Sequence, residues 1–151
     1  MQAERFMRRA VELARGNIGQ GGRPFGAVLV RDGQVLAEAA NGIHLDHDPS
    51  AHAEMLAIRR ASAVLGTPRL DGCTIYASGH PCPMCLAAMY ISGVGEAWYA
   101  YSNEDGAPYG LSTTAVYERL MAGPASPGSG LRQLRPEGED GLYREWAQRC
   151  G

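Results

Sequence analysis

Lysine is absent from this 151-residue chain, and all fourteen basic side chains are arginines. Without a lysine amine there is no Schiff-base nucleophile and no lysine-dependent phosphate loop. An excess of charge is missing too. The formal net charge of −2 leaves no electrostatic footprint for DNA, RNA or an anionic surface, so neither nucleic acid nor membrane is expected as a partner. No apolar run approaches the roughly 18 residues of a membrane helix. The opening segment mixes Arg5, Arg8, Arg9 and Arg15 with Glu4 and Glu12, which is not the apolar core of a signal peptide, and the cytoplasm is the expected location. Four cysteines are too few for a disulfide framework. The close pair Cys82 and Cys85 points to metal or redox chemistry instead.

What is present suits one globular domain over residues 1–151, with a core of ordinary size. Phe6, Met7, Ala10, Leu13 and Ala14 recur at helical spacing in 3–16. The Gly19–Gly22 cluster ends that helix. Phe25–Val30 and Val35–Ala39 flank Asp32-Gly33 as a hairpin. After the polar loop Asn41–Ser50 a helix of about fifteen residues is expected from near Ala51, with Asp48 or Ser50 as its cap. Cys73–Ser78 predicts a buried strand, Pro83 opens a short helix, and Glu96–Tyr101 predicts another strand. Thr113–Met121 and Leu142–Gln148 have helical character. Between them lies a Gly/Pro/Ser-rich stretch, 122–130, which predicts a flexible connector before a C-terminal helix. Strand pair, helix, strand, helix, strand describes a sheet with helices packed on its faces.

Two motifs carry the chemistry: His52-Ala53-Glu54 at one helix start and Pro81-Cys82-Pro83-Met84-Cys85 at another. On a helical turn Cys82 and Cys85 project from the same side, and a helix N-terminus favours thiolate over thiol. Two thiolates and the His52 imidazole make a soft tetrahedral site suited to zinc, with a fourth position left for water. Zinc lowers the pKa of such a water from about 16 to about 7. A group must still collect the water's proton and pass it to a leaving group, and Glu54 is the candidate. Residues at i and i+2 do not share a face in mid-helix, so His52 and Glu54 are expected in an irregular first turn.

Other readings of the same residues stay open at this point. Cys82 and Cys85 between a strand and a helix also suit a thioredoxin-type redox pair, although that leaves His52-Ala53-Glu54 unexplained. A structural zinc would need a fourth ligand, from His80, His47 or Cys73. Cys73, within an apolar strand, reads as a packed thiol. His44 and His47 read as solvated loop histidines. Trp98, Tyr99 and Tyr101 read as core or interface.

The motifs resemble the cytidine deaminase superfamily, with its H-x-E and P-C-x-x-C signatures. Pro24-Phe25-Gly26-Ala27-Val28, Asn41, Asp48 to Glu54 and Pro81 to Leu86 look most like the branch of bacterial guanine deaminases and tRNA adenosine deaminases. The resemblance covers about residues 5–105. It implies a three-layer α/β/α fold around a five-stranded mixed sheet, commonly a homodimer. It also implies zinc on His52, Cys82 and Cys85, proton transfer by Glu54, and ring binding by Asn41, the Ala53 N–H and the Phe25 wall. Three departures from that branch stand out. His80 occupies a position commonly held by Glu, Tyr109–Thr114 carries no carboxylate where guanine deaminases have acidic residues, and Arg149-Cys150-Gly151 lacks the aromatic tail residue that closes the pocket in that branch.

The expected function is hydrolytic, zinc-dependent release of ammonia from a small nucleobase-like ring: guanine-like, cytosine-like or a triazine. A tRNA adenosine deaminase is the alternative. A zinc-stabilised partner protein without catalysis is another, and it would have no use for Glu54.

Overall fold

The computed structural model describes residues 2–151. Two compact units divide the chain, 1–118 and 119–151.

The first unit begins with α1 (Gln2–Gly19), whose buried residues Phe6, Ala10, Ala14 and Asn17 recur every three or four positions along one stripe. β1 (Gly26–Arg31) turns through Asp32 and Gly33, both at positive φ, into β2 (Gln34–Ala40). Left-handed residues at both central positions match the right-handed twist of the flanking strands. One helical turn, α2 (Ile43–Asp46), lies inside the expected polar loop Asn41–Ser50. Then follow α3 (Ala53–Leu65), β3 (Cys73–Gly79), α4 (Pro83–Ser92) and β4 (Glu96–Tyr101). Beyond them come α5 (Asn103–Gly106), a 3-10 turn at Ala107–Tyr109, and the first residues of α6 (Thr114–Met121).

The sheet order is β2-β1-β3-β4. β1 pairs antiparallel with both β2 and β3, while β3 and β4 run parallel, joined by α4. β1 is buried on both faces, and its alternating side chains divide between two cores. Val28 and Val30 join Phe6, Ala10 and Tyr76 under α1. Ala27 and Leu29 join Ala53, Ala57, Ala61, Ile75, Cys85 and Met89 on the opposite side. Helices therefore cover both faces, the expected α/β/α layering. Close approach of α1 depends on Gly26, where a Cβ would lie 2.3 Å from the Ala10 carbonyl oxygen.

The expected fifth strand is not formed: the mixed sheet has four strands among the described residues. After β4 the chain enters α5 at once, through a reciprocal cap between Ser102 and Asp105. Prolines at 124, 127 and 136 and glycines at 123, 128, 130, 138 and 141 then punctuate the stretch before the last helix. Such a stretch offers no uninterrupted period-two run to pair with β4. The cap of α3 also differs from expectation. His52 occupies it in extended conformation without a side-chain cap bond, while Asp48 accepts from the Ser50 N–H and hydroxyl instead.

The second unit contains the end of α6, turns closed by Ser126 N–H to Gly123 O and Ser129 N–H to Ser126 O, and α7 (Leu142–Cys150). Its ion pairs Arg135–Asp140 and Arg149–Glu145 are exposed. No helix among the described residues is long and apolar enough to cross a membrane.

Candidate active site

Two helix starts meet on the sheet. His52 caps α3 with φ −74° and ψ 151°, which turns its ring away from the helical spiral. Ala53 and Glu54 are the first two helical residues. The spacing problem of His-x-Glu is thereby solved, since only Glu54 obeys helical geometry. At the other start Cys82 caps α4 in extended conformation, Pro83 occupies the first turn, and the Cys85 N–H donates to Cys82 Sγ at 3.5 Å. Proline suits that position because the missing N–H has no partner there anyway.

The three donor atoms form a nearly equilateral triangle. His52 Nδ1 lies 3.4 Å from Cys82 Sγ and 3.5 Å from Cys85 Sγ, and the sulfurs are 3.5 Å apart. With metal–ligand lengths near 2.0 to 2.3 Å, a tetrahedral zinc spaces its ligands about 3.5 to 3.8 Å apart. The triangle thus matches the ion's demand in both spacing and donor chemistry. No other His, Cys, Asp or Glu joins this group among the described residues. His47, His80 and Cys73 are outside it, which removes the fourth ligand a closed structural site would need. Cys73 is a buried thiol whose pKa is raised by burial, in keeping with a packing role.

Electrostatics follow from this crowding. Hydrogen bonding from Cys85 lowers the Cys82 thiol to about 4, helped by His52. The Cys85 thiol moves the opposite way, mainly through the same proton shared with Cys82 and then through burial. One sulfur is a thiolate at neutral pH even before a metal binds. His52 is raised, chiefly by its hydrogen bond to Cys82. Glu54 is only 6% exposed, and desolvation raises its carboxyl pKa.

A cavity of about 160 Å³ opens above these groups, lined by Arg23, Phe25, Asn41, His52, Glu54, His80, Cys82 and the stretch Gly110–Thr113. Cys85 is fully buried beneath it. Asn41 follows β2 and is itself buried. Its Oδ1 accepts the Ile43 N–H at 3.0 Å, which leaves the amide N–H groups for a ligand. Phe25 lines the cavity. Ala53 is buried and contributes no side-chain wall; its N–H is among the unpaired donors of the first helical turn. His80 packs against Tyr99 and Tyr117, with ring centroids at 4.7 and 5.5 Å. Tyr117 donates its hydroxyl to the Pro81 carbonyl, and burial raises that phenol to about 12.

Sequence reasoning missed Arg23. Its only signal was a charged residue between a glycine pair and the Pro24-Phe25 wall. His44, read as solvated, has both ring nitrogens buried and without a partner, because the short helix α2 turns the ring inward beside Gly22 and Asn17.

A sequence model of the cytidine and deoxycytidylate deaminase zinc-binding region matches residues 1–101, and the chain belongs to that family of zinc-dependent hydrolytic deaminases acting on C–N bonds. Guanine deaminase of Bacillus subtilis (strain 168) is 44% identical over 80% of this chain and 78% of its own. A crystal structure of guanine deaminase from Bacillus subtilis superposes with a TM-score of 0.86 at 37% identity, covering 96% of this chain and 93% of that one. The tRNA-specific adenosine deaminase of Bacillus subtilis (strain 168) is 35% identical over 86% of this chain and 81% of its own.

Proposed function

We propose that this chain hydrolytically deaminates a free, guanine-like amino-substituted ring, with His52, Cys82 and Cys85 as zinc ligands and Glu54 as proton carrier. The observation that carries the reading is the 3.4–3.5 Å triangle of donor atoms beside a buried carboxylate at the floor of a ligand-sized cavity. Similarity to the guanine deaminase supports a ring of that kind. Similarity to a tRNA deaminase supports a second reading, but a chain with net charge −2 and no lysine has little with which to neutralise phosphates.

Zinc, when bound, supplies an acidified water. The chain's own groups do the rest. Phe25 and the Asn41 amide orient the ring, and the Ala53 N–H meets a ring acceptor at the start of α3. Glu54 takes one proton from the water and passes it to the ring nitrogen as the water oxygen bonds to the adjacent ring carbon. It then carries the second proton from the new hydroxyl to the amine, the C–N bond breaks, and ammonia departs while the ring carbon becomes a carbonyl. Burial suits the carboxyl to this cycle, because it holds a proton more readily than a solvated one would.

We also place this activity in a homodimer in the cytoplasm. Support for the dimer comes from Tyr90 and Ile91 on α4 and Trp98 on β4, which are 74%, 78% and 50% exposed, large apolar side chains of the kind that interfaces cover. Support for the cytoplasm comes from Cys82 and Cys85, whose thiolates a reducing compartment preserves.

Ammonia release from a panel of purines, pyrimidines, triazines and an adenosine-containing tRNA anticodon stem tests the function. Turnover of a free amino ring is expected, and exclusive action on the RNA would overturn the reading. Glu54→Ala should retain zinc yet lose turnover by about 10²- to 10⁴-fold. Full turnover in that variant would remove Glu54 from the chemistry.

A further inference from the structure

We propose that Arg23 is the specificity residue of this cavity, its guanidinium selecting rings that turn a carbonyl oxygen towards it. The inference rests on the deaminase reading above and adds to it the feature of the substrate that this chain recognises. Arg23 lines the same cavity as His52 and Glu54. Among the described residues no carboxylate forms an ion pair with its guanidinium. A guanidinium offers five donors and no acceptor, so whatever occupies the cavity next to it must bring acceptors.

The backbone under Arg23 is built rather than loose. Asn17, buried at 6% exposure, donates through its single side-chain nitrogen to two carbonyls, Arg23 O at 2.8 Å and Asn41 O at 2.9 Å. One buried amide therefore ties two cavity residues from different loops to α1. The turn that carries Arg23 is closed by the Gly22 N–H bonding to Asn17 O at 2.9 Å. At Gly22 a Cβ would lie 2.4 Å from Asn17 Nδ2 and 2.5 Å from His44 Cε1. No side chain fits there without breaking the clamp.

The remaining polar groups complete a donor and acceptor pattern. His80 Nδ1 is 2.9 Å from the Pro81 carbonyl, which can only accept. Nδ1 therefore carries hydrogen, and in the neutral ring Nε2 is an acceptor. Thr113 Oγ1 is buried without a partner and can give or take. Asn41 has spent its oxygen on Ile43 and offers N–H. Donors thus cluster at Arg23 and Asn41, while His80 accepts an N–H. An oxo-amino ring satisfies this set. A diamino ring of the same shape puts an amine donor where the carbonyl oxygen would meet the guanidinium.

Matched pairs that exchange one carbonyl for an amine test the proposal: guanine with 2,6-diaminopurine, cytosine with 2,4-diaminopyrimidine, and ammeline with melamine. With the zinc-loaded protein, kcat/KM for the oxo member should exceed that for the diamino member by at least about tenfold. Arg23→Met, which keeps length and loses every donor, should pull that ratio towards one. Arg23→Lys should fall between, having charge without the planar fork. Calorimetric binding to zinc-loaded Glu54→Ala should show the same selectivity without turnover, and Arg23→Met in that background should lose it. A ratio unchanged in Arg23→Met, in turnover and in binding, overturns the proposal and leaves the deaminase reading standing. So does an Arg23-dependent preference that follows a phosphate, as with guanosine monophosphate over guanine. If no ring releases ammonia, the deaminase reading fails first and this inference falls with it.

Discussion

At the scale of single residues the site is a problem in proton placement. Two cysteines held 3.5 Å apart cannot both ionise cheaply without a cation, because their like charges would face each other in a desolvated place. The shared proton settles near Cys85, and Cys82 remains ionised down to about pH 4. This makes a testable statement about the zinc-stripped protein. Its thiolate ultraviolet absorbance should persist at pH 6 and disappear as the pH falls through about 4. Cys82→Ser should abolish that step, whereas Cys73→Ser should not, since burial holds the Cys73 thiol protonated. A first thiolate appearing only above pH 8 would contradict the arrangement. The preformed thiolate also gives an incoming zinc ion a ligand that need not release a proton.

At the scale of elements, two short helices deliver the chemistry because their first residues are not helical. Extended conformation at His52 and Cys82 frees both side chains to point off the helix ends, where unpaired N–H groups and the dipole favour thiolate and carboxylate. The sheet holds those ends in register. β1, flanked by β2 and β3, packs Leu29 into the core beneath α3 and α4 with no exposed surface. Leu29→Ala should cost about 2–5 kcal/mol of unfolding free energy in urea titration. Val64→Ala, at a side of α3 that is 66% exposed, should change it by less than about 0.5 kcal/mol. Equal effects would mean that the layer between sheet and α3 is not the main core.

At the scale of the whole molecule, the apolar side chains that remain in water define the next question. Tyr90 and Ile91 near the end of α4 accompany Trp98, Tyr99 and Tyr101 on β4, the outer strand of the sheet. An edge strand without cover invites a partner. Analytical ultracentrifugation should find a dimer at micromolar concentration, and Ile91→Arg should shift it towards monomer without removing zinc. A monomer at every concentration would send the homodimer proposal back to the sequence resemblance alone.

Much of this was legible in the sequence. The hairpin at Asp32-Gly33, the strand Glu96–Tyr101 and the helix opened by Pro83 each carry a local signal, since turn chemistry and side-chain period act over a few residues. The grouping of His52, Cys82 and Cys85 was legible as well, because zinc demands particular donor atoms and few spacings bring two sulfurs to one side of a helix start. Tertiary structure decided the rest. The sheet stops at four strands because pairing requires a segment to come back alongside β4, which no local pattern can guarantee. The His44 ring nitrogens are buried because α2 turns the ring inward, although its loop reads as polar. Arg23 becomes part of the cavity only when Asn17, six residues earlier and on another element, fastens it beside Asn41. Residue identity determined which chemistry is possible here; which ring meets it was left to distances between segments far apart in the chain, and those are set by packing.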